Sequence, residues 1–290
     1  MNVVSYAFFR NAASAYEHPN CGEARGKVFV NYLRLIVRAH HAVWNGWELR
    51  IAHDDRVREF LYFKALERMQ DVGLLKLAPF GESKTLCGLG GMLERLRPVW
   101  EPGVDYVVCR DVDAVPMPKD RRAVEEFRAS GKAVHVIHDA SAHSGVMGGT
   151  LAVKAWPFRE LVNARSLEQF IAQRGLEIDW NQHGSDQRLL NEYCLCFPQE
   201  TLVHELHHLV GDLPGAEIRT RVDIETPKDI NPDVATFGDT FSRIIGGCAD
   251  VEAPYHFYDN SGSPDIDEWD GRPSWLRSIH ECERLAGVRA

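Results

Sequence analysis

Two aspartates follow the most apolar short segment of the sequence. Residues 106–109, YVVC, are typical of a strand buried on both faces of a sheet, and residues 110–113, RDVD, come directly after it. Because ligands of an open α/β sheet bind beyond the carboxyl ends of its strands, Asp111 and Asp113 lie where a site is expected. Two carboxylates at this spacing can bind one Mg²⁺ or Mn²⁺ ion and leave positions for phosphate oxygens and water. We therefore take both as candidate metal ligands, the alternative role being that of a turn or helix cap.

A second polar cluster, residues 138–150 with the sequence HDASAHSGVMGGT, separates two predicted strands. It contains two histidines, one aspartate and three glycines. Glycine lets a backbone approach a ligand closely, and the polar side chains can bind the hydroxyls of a sugar-like molecule. The alternative is a polar hairpin connection with Gly148 and Gly149 at a bulge.

A third cluster, residues 183–187 with the sequence HGSDQ, opens a predicted helix. Ser185 is a suitable N-cap, which places Asp186 in the first turn. There the carboxylate either stabilises the helix dipole or takes part in chemistry, and the sequence leaves both roles open.

The elements that must position these clusters alternate between strand and helix. Apolar and β-branched runs predict strands, and apolar residues at helical spacing predict helices, one of which is expected to end at Pro98. This alternation predicts an α/β fold, with a mixed, mostly parallel sheet flanked by helices in a single domain. The predicted strands are residues 3–9, 47–51, 74–78, 106–109, 133–137 and 146–153, and the predicted helices lie near residues 29–37, 57–69, 85–97, 121–129, 156–174 and 185–193.

Beyond about residue 209 the pattern gives way to segments rich in Pro, Gly and Asp with scattered aromatic residues. We therefore expect residues 1–208 to form the core that carries the sites, with residues 209–290 as an irregular C-terminal extension packed on the same domain. The candidate residues extend from Ser5 to Asp186, which is too wide a spread for two independent halves.

Composition excludes several classes of protein. The 290 residues are 44% hydrophobic and 26% charged, which is ordinary globular composition rather than that of a disordered, collagenous or coiled-coil chain. The net charge of −9 supplies no broad positive field for nucleic acid or anionic membranes. No apolar run is long enough for a membrane-spanning helix. Seven scattered cysteines and a start without a basic, then apolar, leader lead us to expect a reduced, cytoplasmic protein.

The order of these motifs resembles that of nucleotide-sugar glycosyltransferases of the GT-A type, particularly glycosyltransferase family 8 and related bacterial and viral enzymes. The resemblance covers about residues 2–208 and depends on the combination of motifs rather than on any one of them. The features that carry it, in chain order, are Ser5-Tyr6-Ala7 in the first strand, Gly91-Met92 and Arg95 on a helix, Arg110-Asp111-Val112-Asp113, the segment GVMGGTLAVK at 145–154, and Asp186-Gln187 ahead of Leu190-Asn191.

The resemblance implies an enzyme that moves a hexose or pentose from a nucleoside diphosphate sugar, with a UDP-sugar as the expected donor. Mn²⁺ or Mg²⁺ on the Asp-x-Asp pair would bind the diphosphate. The residues implied at the base and ribose are Ser5, Tyr6, Ala7 and Asp54; those at the donor are Arg95 and Arg110; those at the metal are Asp111 and Asp113; and those around the sugar and acceptor are Gly148, Gly149 and Asp186.

The catalytic assignment follows from the same resemblance. Asp186 is the first choice for a general base if the reaction inverts the anomeric centre, and Asp139 is a second carboxylate that could stabilise the electron-poor sugar. A retaining reaction needs no dedicated base, and the sequence leaves the two stereochemical outcomes open. Family 8 enzymes supply a third metal ligand from a late His-x-x-Gly motif; the candidates for a third metal ligand here are His256 and His204.

Two other functions compete with this interpretation. Residues 204–208, HELHH, match His-Glu-x-x-His, which on a helix would place His204 and His208 on one face to bind Zn²⁺, with Glu205 activating water as in a metalloprotease. A non-catalytic sugar-nucleotide-binding protein is the second alternative.

The acceptor stays open between a glycan and a hydroxymethylated base of phage-type DNA. Net charge argues against a polyanion, but several basic residues gather around the proposed site in the chain. They are Arg95, Arg97, Arg110, Lys119, Arg121 and Arg122.

Overall fold

The computed structural model of the chain describes residues 1–9, 23–81, 88–112, 114, 116, 118–138, 145–174, 178–180, 182, 184–194, 196–205, 215–219 and 274–287. Within these residues eight strands form one sheet in the order β3-β2-β1-β4-β6-β5-β7-β8. β6 runs antiparallel to its neighbours β4 and β5, and the other pairings are parallel. The predicted mixed, mostly parallel sheet is therefore confirmed. The strands are β1 (Asn2–Phe8), β2 (Glu48–His53), β3 (Lys76–Pro79), β4 (Tyr106–Arg110), β5 (Val134–His138), β6 (Leu151–Lys154), β7 (Thr201–Glu205) and β8 (Glu217–Arg219).

Helices cover both faces of this sheet. A long 3₁₀ helix, Gly88–Trp100, precedes β4, and shorter 3₁₀ turns span Asp55–Glu59, Gly148–Thr150 and Pro198–Glu200. No helix among the described residues is long and apolar enough to cross a bilayer. The α-helices are α1 (Glu23–Val43), α2 (Leu61–Asp71), α3 (Pro118–Ser130), α4 (Ala155–Val162), α5 (Leu167–Arg174), α6 (Ser185–Cys194) and α7 (Ser274–Leu285).

The structure differs from the sequence prediction in three helical regions. The helix expected over residues 156–174 is two helices, because Asn163 takes a left-handed conformation with φ of 49° and ends α4. The helix expected over residues 57–69 is interrupted at Phe60, whose backbone is extended. Pro98 does not end the third helix: its carbonyl accepts the Glu101 N–H at 3.0 Å, and the 3₁₀ helix continues to Trp100.

Alternation along the strands divides the core into two clusters, one on each face of the sheet. The first face buries Val3, Val107 and Val203 beneath the 3₁₀ helix Gly88–Trp100 and α4 to α6. The second face buries Val4 and Val108, together with the inward side chains of α1, α2, α3 and α7. Successive residues of one strand therefore point into different environments, and this decides which side chains can reach a common site.

The described elements beyond residue 208 join the sheet or pack on its helices. β8 pairs in parallel with β7. Glu283 of α7 is buried and accepts hydrogen bonds from Arg38 Nη2 at 2.8 Å and from the Tyr62 hydroxyl at 3.2 Å. These bonds attach α7 to α1 and α2.

A buried ion pair joins β4 to α3 on the second face. The Arg110 guanidinium donates to both carboxylate oxygens of Asp120, from Nε at 2.9 Å and from Nη2 at 2.5 Å, and its Nη1 donates to the carbonyls of Cys109 and Leu151 at 2.6 and 3.1 Å. The two side chains are 1% and 3% exposed. A fully hydrogen-bonded pair of this kind tolerates burial, but either charge alone would not.

Replacing Asp120 by Ala should therefore destabilise the protein by about 3–5 kcal/mol, because Arg110 would remain buried without its counter-charge. Urea unfolding measures this change. Asp55→Ala is the matched control, since the Asp55 side chain is 89% exposed and its ion pair with Arg58 is a surface one. Equal stability of the two variants would contradict a stabilising role for the Arg110–Asp120 pair.

Two buried histidines share a hydrogen bond between β5 and β7. His135 Nε2 lies 2.7 Å from His204 Nδ1, and His204 Nε2 lies 3.0 Å from a carboxylate oxygen of Glu126 on α3. Because the carboxylate accepts, His204 carries its proton on Nε2, and His135 must donate from its own Nε2. Burial, followed by the neighbouring imidazole, lowers the pKa of His135. Burial also lowers the pKa of His204 and outweighs the opposite effect of Glu126.

These pKa shifts predict that stability falls as the pH drops below about 6.5. In that range the two histidines are protonated in the unfolded chain but stay neutral in the folded protein. His204→Gln keeps a donor toward Glu126 and an acceptor toward His135 but removes one titrating group. The slope of unfolding free energy against pH should then decrease by up to about 1.4 kcal/mol per pH unit below pH 6.5. Urea unfolding from pH 5 to 8 measures it, and the slope above pH 7.5 serves as the control. An unchanged acid slope would refute the assignment.

Candidate functional site

Four elements bring polar groups together at the carboxyl edge of the sheet, on its first face. Asp111 follows β4, and Asp186 lies in the first turn of α6. The 3₁₀ turn Gly148–Thr150 also lies at this edge, because it precedes β6, which runs antiparallel to β4. The 3₁₀ helix Gly88–Trp100 contributes Arg95. This is the edge at which α/β sheets bind ligands.

Arg95 joins the two carboxylates. Its Nη1 donates to Asp111 Oδ1, and its Nη2 donates to Asp186 Oδ2 at 2.8 Å. The Arg95 side chain is 3% exposed, whereas those of Asp111 and Asp186 are 26% and 12% exposed. The guanidinium therefore lies beneath the carboxylates, and the carboxylates form the rim that solvent reaches.

Gly148 and Gly149 lie directly against this ion-pair cluster. A Cβ atom on Gly148 would clash with the Arg95 guanidinium and lie 2.9 Å from Asp186 Oδ2. A Cβ atom on Gly149 would lie 2.5 Å from Asp111 Cγ. Neither glycine has a positive φ, so it is this close approach that requires glycine here. The sequence also allowed a hairpin bulge at these glycines. The structure instead has the 3₁₀ turn there, and β6 begins only at Leu151.

The electrostatics of the cluster favour a cation at the rim. Burial alone would lower the pKa of the Arg95 guanidinium, but the carboxylates of Asp111 and Asp186 outweigh it and raise that pKa. One guanidinium against two carboxylates leaves a formal charge of −1 in the cluster. Arg95 consequently stays charged, and the cluster as a whole keeps a negative excess at its exposed side.

The residues expected at the nucleoside lie at the carboxyl ends of the neighbouring strands. Ser5, Tyr6 and Ala7 are buried on β1, where Ser5 pairs in register with Cys109 of β4. Tyr6 points to the second face and its hydroxyl lies 3.5 Å from the Ala114 carbonyl. Within the part of the chain that the structure describes, the Ser5 hydroxyl has no hydrogen-bond partner.

Asp54, expected at the base and ribose, and Ser185, a predicted N-cap, both lie at the starts of helical segments. Asp54 accepts a hydrogen bond from the Val57 N–H at 3.2 Å and caps the 3₁₀ turn after β2. Ser185 is the first residue of α6, and its buried hydroxyl has no hydrogen-bond partner among the described residues, so the predicted N-cap bond is not formed.

Arg110 does not belong to the site, although it was expected at the donor. It is the last residue of β4, so alternation sends its side chain to the second face, where Asp120 and two carbonyls bind the guanidinium. Asp111, the next residue, lies on the first face beside Arg95. We therefore assign Arg110 to the core.

Three candidate residues lie outside the described part of the chain: Asp113, Asp139 and His256. The described residues contain no group of three or more His, Cys, Asp or Glu side chains that could hold a metal ion. Among the described residues, Asp111 of the Asp-x-Asp pair is a partly exposed carboxylate, which is the kind of oxygen ligand that Mg²⁺ and Mn²⁺ prefer.

The His-Glu-x-x-His interpretation is wrong on structural grounds. His204 and Glu205 end strand β7 instead of lying on a helix, and neighbouring side chains on a strand point to opposite faces. Both ring nitrogens of His204 are engaged, one with His135 and one with Glu126, on the second face. His204 is therefore neither a zinc ligand of that motif nor a third ligand beside Asp111, while His208 lies outside the described residues.

Two further residues support the glycine turn. Asn191 of α6 and His138 of β5 bind the backbone at residues 145 and 146. His138 was expected to bind sugar hydroxyls, but it is buried and engaged with a carbonyl. Asn191 received no role from the sequence. The available signal was an asparagine inside a helix, where its intrinsic propensity is poor.

Comparison with known proteins gives similarity at the level of structure alone. No protein-family model and no curated protein matches the chain. The apo glycosyltransferase GlyE of Streptococcus pneumoniae TIGR4 is 13% identical, with a TM-score of 0.40 over 71% of this chain and 44% of that one. The chain thus spans less than half of GlyE.

Two other solved structures match nearly the whole chain. A putative nucleotide-diphospho-sugar transferase from Desulfovibrio desulfuricans G20 is 10% identical, with a TM-score of 0.42 over 99% of this chain and 96% of that one. TarS 1-349 of S. aureus is 11% identical, with a TM-score of 0.40 over 99% and 83%. At these values we draw no argument about function from the similarity, and the description of the fold depends on the strand order given above.

Proposed function

We propose that the protein is a glycosyltransferase that moves a hexose or pentose from a nucleoside diphosphate sugar, a UDP-sugar in the first instance, to an acceptor hydroxyl. The observation that supports this most is the Arg95-bridged pair of Asp111 and Asp186 against the glycine turn, at the carboxyl edge of β4. A polyhydroxyl ring needs a closely approaching backbone, which the glycine turn offers. A leaving diphosphate needs positive charge, which a cation at the carboxylate rim would supply.

The charge distribution supports a cation as part of the donor site. A diphosphate that approached the bare rim would meet carboxylate oxygens first, since Arg95 lies beneath them. Asp111 and Asp113 would hold Mn²⁺ or Mg²⁺, with His256 as the remaining candidate ligand. When bound, such an ion neutralises charge on the diphosphate leaving group. Arg95 then serves to fix the orientation of Asp111 and Asp186 through its two donors.

The remaining roles follow position along the carboxyl edge. Strands β1 and β2 adjoin β4 on one side, and this order supports a nucleoside bound at their ends. Gly149 lies against Asp111 and Gly148 against Asp186, which supports a sugar bound along the two glycines. The residues proposed for the base and ribose are Ser5, Ala7 and Asp54, together with the backbone of Tyr6, whose side chain is buried on the second face.

Asp186 is the proposed general base if the reaction inverts the anomeric centre. Its Oδ2 accepts from Arg95, which orients the carboxylate and leaves Oδ1 to take the proton of the acceptor hydroxyl. Asp139 is the second carboxylate proposed near the sugar. In a retaining reaction Asp186 would instead hold a hydroxyl of the donor sugar. We propose a glycan or a hydroxymethylated base of phage-type DNA as the acceptor, and cytoplasmic donor sugars as the source.

Asp111→Asn should weaken Mn²⁺-dependent binding of UDP by about tenfold or more, equivalent to about 1.4 kcal/mol, because the amide loses the charge that attracts the cation. Titration calorimetry of UDP with and without Mn²⁺ measures the effect. Asp105→Asn is the matched control: it changes an exposed aspartate at the opposite end of β4. A variant at position 111 that binds UDP with Mn²⁺ as tightly as the parent would remove the metal from the proposal.

Gly149→Ala should abolish donor hydrolysis, because the added methyl group would displace the Asp111 carboxylate. Release of UDP from UDP-sugars is the measurement. Gly103→Ala controls for the general cost of replacing glycine: its φ of 77° makes the change strained, yet its surroundings are open and it precedes β4 at the opposite edge. Loss of hydrolysis in both variants would indicate instability rather than a specific role of Gly149.

A further inference from the structure

The glycine turn is held in place by a side chain from the helix that carries Asp186. Asn191 Oδ1 accepts the Val146 N–H at 2.8 Å, and Asn191 Nδ2 lies 3.4 Å from the Val146 carbonyl. The same Nδ2 donates to the Gln187 carbonyl of α6 at 2.8 Å, which fixes the orientation of the amide. The Asn191 amide therefore binds both the backbone N–H and the backbone carbonyl of Val146, the residue that leads into the turn.

The preceding residue is held from the opposite direction. His138, the last residue of β5, lies with Nε2 2.6 Å from the Gly145 carbonyl, and because a carbonyl only accepts, Nε2 carries the proton. Gly145 has a φ of 62°, and a Cβ atom there would clash with the Asn191 amide, whose Cγ would lie 3.1 Å away. Residue 145 must therefore be glycine for Asn191 to reach Val146.

Asn191 and His138, which together we call the clamp, hold the residues that lead directly into the glycine turn at the site. Only Met147 separates Val146 from Gly148, and the Met147 carbonyl accepts the Thr150 N–H at 3.1 Å to form the 3₁₀ turn. Asn191 and Asp186 lie on the same helix, so α6 fixes both the carboxylate and the turn that faces it. The gap between Asp186 and Gly148 thus depends on Asn191.

We propose that Asn191 and His138 are positioning residues that set the sugar-binding wall at Gly148 and Gly149, and so allow the protein to distinguish a nucleoside diphosphate sugar from the bare nucleoside diphosphate. The inference rests on the proposed function. It predicts that weakening the clamp reduces recognition of the sugar and leaves the affinity for UDP unchanged, because among the described residues neither Asn191 nor His138 forms a hydrogen bond with Asp111 or with the ends of β1 and β2.

The variants separate positioning from simple loss of a buried group. Asn191→Ala removes the grip on Val146. His138→Leu removes the donor to the Gly145 carbonyl, whereas His138→Gln can still donate from its amide and should restore the parent behaviour. Urea unfolding confirms that each variant is folded before any comparison is made.

Two readouts are needed, and the first does not involve a ligand. Hydrogen exchange of the backbone amides of residues 145–150 should accelerate by about tenfold in Asn191→Ala and in His138→Leu, but not in His138→Gln. The second readout is calorimetric titration of UDP, UDP-glucose, UDP-galactose and UDP-N-acetylglucosamine, each with Mn²⁺. The parent should bind at least one sugar nucleotide more tightly than UDP, and the two disruptive variants should lose this preference by about tenfold with UDP affinity retained.

The outcomes are distinct from those of the proposed function. If the parent binds neither UDP nor any UDP-sugar, the proposed donor is wrong. In that case hydrogen exchange at residues 145–150 alone tests whether Asn191 and His138 hold the turn in place. Unchanged exchange at residues 145–150, an equal loss of affinity for UDP and UDP-sugars, a failure of His138→Gln to restore the preference, or a parent without any preference would each overturn the positioning role.

Discussion

The candidate site depends on one guanidinium that neutralises two carboxylates from distant parts of the chain. Arg95 lies 16 residues before Asp111 and 91 before Asp186, and it holds the end of β4 and the start of α6 in a fixed relation. Two aspartates this close would repel each other, and a buried arginine without partners would be costly. Arg95, Asp111 and Asp186 therefore depend on one another. Through the Arg95 guanidinium they couple the 3₁₀ helix, the edge of the sheet and α6.

A second arginine shows how strand alternation separates structure from function. Arg110 and Asp111 are adjacent, yet the first pairs with Asp120 under α3 and the second faces Arg95 on the opposite side of the sheet. The Arg110 pair is almost completely buried and attaches a helix, whereas the Arg95 cluster keeps its carboxylates partly exposed. The two ion-pair systems thus have the same chemistry but differ in access to solvent, and only the accessible one can bind a ligand.

Much of the fold could be predicted from the sequence, because strand and helix periodicity is a local property. The antiparallel direction of β6 could not, since it depends on where the turn Gly148–Thr150 ends and on pairing with β4. Asp111, Asp186 and the two glycines were predicted as site residues from their types and placement, and the structure brings them into one cluster. Arg110 was misassigned because the sequence does not show which face of the sheet the last residue of a strand will take. Asn191 was missed because its role exists only once Val146 has folded against α6.

The arrangement of charge by depth also limits how a donor could bind. A polyanion that reached this edge would encounter carboxylate oxygens at the rim, with the Arg95 guanidinium beneath them and paired with both carboxylates. Because the Arg95 side chain is only 3% exposed, it does not offer a phosphate its first contact while Asp111 and Asp186 cover it. A cation at Asp111 resolves this conflict, because it reverses the sign of the rim while Arg95 keeps both carboxylates in place. On the proposed function, cation binding therefore has to precede or accompany binding of the diphosphate.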